Sequence, residues 1–384
     1  MTTGLDETLT RRALDLVLRE TTEMAGSVLP VPLEYYRDPA NLESELALLR
    51  STPLAIVPSA QIAEPDDFAV RSVLGASLLA TRDRSGAARV LLNYCRHRGA
   101  RPAEGCGNAS VFTCPYHGWV YDPAGRLVAI PGAEGFDGVD RAEHGLVELP
   151  SEERHGFVWA CLTAGAEIDV AAHLGPFDDE LAQWSYGDYG YLTAQEFESG
   201  VNWKGALEAF AEGYHFPYVH GNSTIGMNTV ANTMVFDAFG RHFRLGLPFN
   251  AITALRDDPS GSWDPRDNMG IIYWVYPALM LANSPFGVEV LDILPAGAPT
   301  RCVVRHGFMY RTAANSDEDR LRYQSVYERV HSAVRDEDFA MLPSCGDGVR
   351  NGQHEAMVLG RNEIAVQHMV RVLAEELAYD LAQS

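Results

Sequence analysis

The stretch CRHRGARPAEGCGNASVFTCPYHGW, Cys95–Trp119, contains three of the chain's six cysteines and two of its twelve histidines. The metal-binding side chains come in pairs: Cys95-x-His97, then sixteen residues, then Cys114-x2-His117. Each pair ends a strand-like run, so two loop tips can meet at one end of a small β structure. Two Cys and two His suit a tetrahedral zinc ion. They suit equally a [2Fe–2S] cluster in which Cys holds one iron and His the other. Spacing leaves the two open. Cys106, in the Gly-rich GCGN between the pairs, has no partner at ligand spacing.

The surrounding chain narrows the setting. It has 384 residues, 46% hydrophobic, enough for a sizeable core and about two domains. With 30 Lys+Arg against 52 Asp+Glu, the formal charge of -22 argues against binding nucleic acid or anionic membrane. Lys204 is the single lysine. The polar start MTTGLDETLTRRALDLVLRE lacks the apolar core of a signal peptide, and no run reaches the ~20 apolar residues of a spanning helix. A cytoplasmic protein with reduced thiols is expected. Cys161 and Cys302 sit in apolar runs and are assigned to the core; Cys345 follows Pro343 near an expected helix end.

Along the chain, residues 7–22 have helical spacing. From 46 to 165 short β runs alternate with turns: SLLATRD and RVLLNYC flank Arg84-Ser85-Gly86, and Asp122-Pro123-Ala124-Gly125 punctuates FTCPYHGWVYDPAGRLVAI. Beyond 166 the pattern is mixed. GIIYWVYPALMLA, EVLDIL and RCVVRHGFMYR read as long antiparallel strands. DRLRYQSVYERVHSAVRDEDFAML and EIAVQHMVRVLAEELAYDLA read as amphipathic helices. The fold class is α+β: a small all-β domain and a larger domain of sheet and helices.

A second constellation lies in NWKGALEAFAEGYHFPYVH, residues 202–220. Read as one helix over 201–215, it puts Glu208, Glu212 and His215 at i, i+4 and i+7 on one face. Buried carboxylates beside a histidine are costly unless they bind metal or hydrogen-bond. His220 is out of phase with that face, but Pro217 ends or kinks the helix and can swing His220 back. Two His and one carboxylate, with coordination positions left open, suit non-haem Fe(II).

CRHRG followed by CPYHGWVYD resembles the Rieske motif, and LLNYCRHRGA and GRLVAIP extend the match on both sides. About a hundred residues later, NWK…E…E-x-Y-H-x4-H resembles the approach to the iron site in α subunits of Rieske non-haem iron oxygenases. That family comprises ring-hydroxylating dioxygenases and related monooxygenases and demethylases. The resemblance covers about 45 to 345, with sharp motifs at 95–131 and 202–220. It implies an N-terminal helical segment (1–45) packing on the catalytic domain, a Rieske domain (46–165) and a helix-grip catalytic domain (166–384).

The resemblance also implies that Cys95, His97, Cys114 and His117 hold a Rieske [2Fe–2S] cluster, and that His215 and His220 hold Fe(II). The family's third iron ligand is an acid on a late helix. In VRDEDFAMLPSCGDG, Asp338, four before Leu342, fits best, ahead of Asp336. Glu212 becomes the carboxylate that bridges His117 of one subunit to His215 of the next in a homotrimer; a β subunit is also compatible. O2 is the co-substrate, and NAD(P)H supplies electrons through a separate reductase or ferredoxin. Arg96, Arg98 and Arg101 form a basic spot that can steer an acidic donor. Two positions depart from the family pattern: Ala209 stands where ring-hydroxylating members often have Asn, and Glu212 where many have Asp.

The expected substrate is an apolar, aromatic small molecule, from Met227, Met234, Phe236, Phe239, Phe243, Phe249, Tyr273, Trp274, Tyr276 and Phe308 in the 225–310 region. Arg241 and Arg244 are candidate anchors for a substrate carboxylate. The competing reading is a non-enzymatic Rieske electron carrier or zinc-stabilised binding protein, with one metal centre and no oxygen chemistry.

Overall fold

The computed structural model describes residues 5–221, 223–258, 260–311 and 316–381. They form two compact units: Ala47–His173 with Ser185–Tyr191, and Met1–Leu46 with Leu174–Trp184 and Leu192–Ser384.

The first unit is built from short antiparallel strands. Its five-stranded sheet runs in the order Glu148–Leu149, Ala88–Leu92, Ala76–Arg82, Asp67–Val73, Cys106–Asn108, and two three-stranded sheets complete it. The expected hairpin is present, with Arg82 opposite Ala88. Asp83 Oδ1 accepts from the Ser85 and Ala87 amides, and Gly86 takes the left-handed φ of 87° that closes the turn. The Asp122–Gly125 turn repeats the device, with Asp122 Oδ1 accepting from the Ala124 and Arg126 amides. Leu79, Leu91, Trp119, Tyr121 and Leu127 form the core, and Cys95 and Cys114 are buried within it.

In the second unit a seven-stranded antiparallel sheet dominates. Its order is Gly190–Ser199, Cys302–Tyr310, Gly287–Pro295, Leu279–Ser284, Met269–Val275, His242–Pro248, Val235–Phe239. It is a meander whose first strand in sequence pairs with its last. Of the three long strands read from sequence, EVLDIL and RCVVRHGFMYR are present, whereas GIIYWVYPALMLA is a hairpin of two strands, Met269–Val275 and Leu279–Ser284, with Val275 opposite Leu279 and Pro277, which has no N–H for a ladder, in the turn. Phe308 packs with Val326 and Tyr327 of the helix Asp317–Ala333, and Cys161 and Cys302 are buried in their respective units as expected.

Three further local expectations are corrected. The 201–215 segment is not one helix: a helix spans only Trp203–Glu208, capped by Asn202, whose side chain accepts from the Lys204 amide at 2.8 Å. It stops because Gly213 is a poor helix residue and Glu212 turns its carboxylate onto the Tyr214 and His215 amides, competing with the helical ladder. Second, the late helix contains one widened turn, a π-helical Val334–Asp338, before continuing as Phe339–Asn351. Third, Pro343 and Cys345 lie inside that continuation rather than at its end. Pro343 has no N–H to give the carbonyl one turn before it, at Phe339, and so sits just after the irregular turn.

The short helix at Trp203–Glu208 is pinned by buried charge. Glu208 accepts from Tyr36 Oη through both oxygens, at 3.1 and 2.9 Å. Burial pushes its carboxyl up to about 7, against the opposing pull of Tyr36 and Lys204. The folded pKa lies above the ordinary carboxyl value of about 4.3, so ionising Glu208 costs stability. That cost is absent below about pH 4.3, grows between pH 4.3 and 7, and is complete above pH 7. Glu208→Gln should therefore stabilise the protein at pH 8 by roughly 1–3 kcal/mol and have little effect at pH 5. Denaturant titrations at both pH values measure this; an equal effect at each would contradict it.

Candidate functional site

In the first unit, the loops carrying Cys95–Ala100 and Cys114–Trp119 have the same construction. The Cys95 amide donates to the Ala100 carbonyl and the Gly99 amide returns to Cys95; the Cys114 amide donates to Trp119 and Gly118 returns to Cys114. Gly99 and Gly118 have φ of 79° and 69°, the left-handed conformation that lets each loop reverse within one turn. Tyr121 Oη lies 3.2 Å from Cys95 Sγ and accepts from the Arg96 amide.

The four side chains sort into two pairs. The cysteines are buried and their thiols interact, with burial raising the Cys114 pKa. The imidazoles of His97 and His117 have centroids 4.5 Å apart, and His97 stacks on Trp119. His97 Nδ1 is buried with no hydrogen-bond partner, as a nitrogen reserved for a metal would be. A single tetrahedral zinc at bonds of 2.0–2.3 Å would bring all four ligand atoms within about 4 Å of one another. Among the described residues the quartet forms no such set. A sulfur pair beside a nitrogen pair fits two irons. Cys106 is exposed and remains without a role.

In the second unit, His215 and His220 are the two caps of the one-turn helix Phe216–Val219, and Pro217 occupies its first turn, where no N–H is needed. Pro217 thus starts a turn rather than kinking a longer helix, and five residues of separation bring both rings to one side, with centroids 5.1 Å apart. Asp338, the last residue of the π turn, meets them. Its Oδ1 lies 3.5 Å from His215 Nε2 and 3.1 Å from His220 Nε2. One ligand atom from each of the three lies within 4.8 Å of the others. The widened turn is what aims Asp338 inward, since it shifts the helical phase by a residue. Asp336 points outward and binds Ser332 and Arg335.

Both histidines use their other nitrogen on a carboxylate. His215 Nδ1 pairs with Glu212 Oε1, and His220 Nδ1 with Glu337 Oε2 at 2.6 Å. A carboxylate at Nδ1 fixes the tautomer that leaves Nε2 free for a metal. Burial opposes charge on His220, but Asp338 and Glu337 outweigh it and hold its pKa above the usual range. The site therefore favours positive charge at its centre, which a divalent ion would supply. The role of Glu337 was missed: a carboxylate 117 residues from its histidine leaves no local pattern.

A cavity of about 730 Å³ opens beside this set, walled mainly by apolar side chains such as Phe216, Leu247, Phe249, Ile272 and Phe308. Of the ten candidate substrate residues, Met227, Phe249 and Phe308 border it and the other seven do not. Arg244 is buried and ion-paired to Glu180 and Asp237, Arg241 pairs with Glu376, and neither borders the cavity, so neither is a substrate anchor.

Residues 185–378 match the catalytic domain of the ring-hydroxylating α subunit, and residues 52–143 match the Rieske [2Fe–2S] domain. The chain belongs to the Rieske non-haem iron oxygenases, as an α subunit. It is 25% identical over 329 residues to the oxygenase subunit of carnitine monooxygenase from Acinetobacter pittii, covering 83% of this chain and 85% of that one. It is 34% identical over 189 residues to the biphenyl 2,3-dioxygenase α subunit of Rhodococcus jostii, covering 47% and 41% respectively. The crystal structure of the quaternary ammonium monooxygenase CntA with L-carnitine superposes with a TM-score of 0.77 at 18% identity, over 98% of this chain and 99% of that one.

The cofactors of this α subunit are a Rieske [2Fe–2S] cluster and a mononuclear iron, and it is the terminal oxygenase that incorporates O2, served by a reductase or ferredoxin. The bare electron carrier and the zinc protein are thereby set aside. Among the described residues no helix is long and apolar enough to cross a membrane.

Proposed function

We propose that this oxygenase hydroxylates or demethylates a small molecule with an apolar body, using Cys95, His97, Cys114 and His117 for the cluster and His215, His220 and Asp338 for the iron. The convergence of both Nε2 atoms on one Asp338 oxygen in the wall of a largely apolar cavity carries the reading. Bound Fe(II) supplies O2 activation there. The protein's part is to fix, through Glu212 and Glu337 at Nδ1, the ring orientation that turns both Nε2 atoms to the metal, and to keep water from the substrate with the Phe-rich wall. The cavity volume suits an aromatic-sized molecule.

Electrons pass between subunits of a homotrimer, from His117 of one to Glu212 and His215 of the next. The donor end of that path, His117, is exposed, while Glu212 and His215 at the other end are partly buried. Exposed aromatics flank it, with Tyr116 beside His117 and Tyr214 and Tyr218 beside His215. A surface that keeps several large rings in water is an unmet interface. Arg96 and Arg98, exposed near the cluster loop, suit an acidic electron donor.

Glu212→Gln tests the path. The variant should retain the cluster spectrum and the mononuclear iron, while substrate-dependent turnover falls roughly 10- to 100-fold or more. Stopped-flow mixing of reduced protein with O2 and substrate should show the cluster failing to reoxidise. Wild-type turnover in Glu212→Gln would refute the role.

A further inference from the structure

A chain of buried polar groups leads into the cavity wall and has no part in holding either metal. Glu289 stands on the strand Gly287–Pro295 directly opposite Ala282 and Phe308, and all three border the cavity. Leu291 pairs with His306, which places His306 diagonally across from Glu289 on the same face. His306 Nε2 lies 3.0 Å from Glu289 Oε2, and His306 Nδ1 lies 3.0 Å from His331 Nδ1. Tyr327 donates to the His306 carbonyl at 3.1 Å and stacks on His331.

The hydrogen bonds have one consistent direction. A carboxylate only accepts, so His306 donates from Nε2, and in the neutral imidazole its Nδ1 then bears the lone pair. His331 must then donate from Nδ1, leaving its Nε2 as an acceptor, buried and without a partner. Burial pushes the His331 pKa down to about 4, which keeps it neutral in that role. The chain ends inside the protein, at a buried nitrogen with no side-chain partner among the described residues. The arrangement holds the carboxylate in place.

We propose that Glu289, positioned by His306 and His331, is the anchor for a positively charged nitrogen on the substrate, whose apolar body lies along Phe308 and Leu291. This rests on the reading of the cavity as the substrate site. Glu289 makes no other hydrogen bond or ion pair among the described residues. A carboxylate in an apolar wall, held on one oxygen by a neutral donor, keeps its charge for a cation, and the adjacent Phe rings can face that cation with their π surfaces. An apolar substrate without such a group would bury the carboxylate with no counter-charge beyond its hydrogen bond to His306, and the site would select against it.

The test uses the iron-loaded trimer or whatever assembly the full chain forms, at pH 7, with equilibrium dialysis as the readout. The probes are N,N-dimethylbenzylamine, protonated at that pH, its uncharged carbon isostere isobutylbenzene, and benzyltrimethylammonium. The wild type should bind the protonated amine at least about tenfold more tightly than isobutylbenzene. Tight benzyltrimethylammonium binding supports anchoring by charge; a loss with this probe alone supports anchoring through the N–H. Glu289→Gln, the closer match in shape, should bring the ratio near one, whereas Glu289→Asp should keep a preference for the cation. His331→Phe should reduce the ratio by loosening His306, which a purely structural role would leave unchanged. Equal binding of the amine and the hydrocarbon by the wild type would overturn the anchor while leaving the cavity as substrate site. Binding of neither would overturn both.

Discussion

Asp338→Ala should lower the iron content from three to about two per chain, with the cluster spectrum intact and substrate-dependent oxygen uptake reduced to background. The expectation follows from how the site is divided. Among the described residues, Asp338 is the one carboxylate that both Nε2 atoms face. Two neutral imidazoles alone make a weak, incomplete set for Fe(II), for which two histidines and a carboxylate are the usual protein ligands. No neighbour can substitute. Glu337 is committed to the opposite nitrogen of His220, and Asp336 is turned outward onto Ser332 and Arg335. Asp336→Ala is thus the control and should keep three irons. Metal analysis beside visible spectra checks both variants; a full complement in Asp338→Ala would remove the residue from the site.

Lys204→Met should destabilise the catalytic unit by about 3–5 kcal/mol, the cost of leaving one partner of a buried ion pair alone. The only lysine in the chain is fully buried, 2.5 Å from Glu45 Oε1, and its ammonium also donates to the Tyr35 carbonyl and lies over the Tyr35 ring at 3.7 Å. Glu45 is equally buried and accepts from Trp203 Nε1 at 2.6 Å through its other oxygen. Methionine matches the lysine stem in volume, so the loss is electrostatic rather than a cavity. Adding Glu45→Gln keeps an acceptor for Trp203 while removing the stranded charge, and should recover much of the loss. Chemical denaturation of the two single variants and the double variant measures the coupling. Additive losses would show that the pair does not act as a unit.

What could be read from the chain was whatever lay close in sequence. The cluster residues sit in two short loops whose Gly and Pro positions are themselves the turn signals, and His215-x4-His220 is one helical turn. The helix drawn over 201–215 failed because periodicity registers charge spacing but not the Glu212 carboxylate capturing its own downstream amides. Asp338 was reached by resemblance; its inward aim depends on a π turn, which has no strong sequence mark. Glu337 and the Glu289–His306–His331 chain were out of reach, since they depend on strand register and helix placement set by the whole sheet. The cavity wall was read too broadly for the same reason. Apolar residues on both faces of a buried sheet look alike in sequence, and only one face borders the iron site.

The measurement that bears most directly on this account is oxygen uptake by the purified chain, loaded with both metals and supplied with NADH and a surrogate reductase. The panel should span arenes, aromatic acids, methyl ethers and N-methyl amines, and products should be weighed after reaction with labelled O2. The account predicts uptake coupled to one class of substrate, label in its product, and loss of both in Asp338→Ala. Uptake that no substrate stimulates and that persists at the same rate in Asp338→Ala would contradict it.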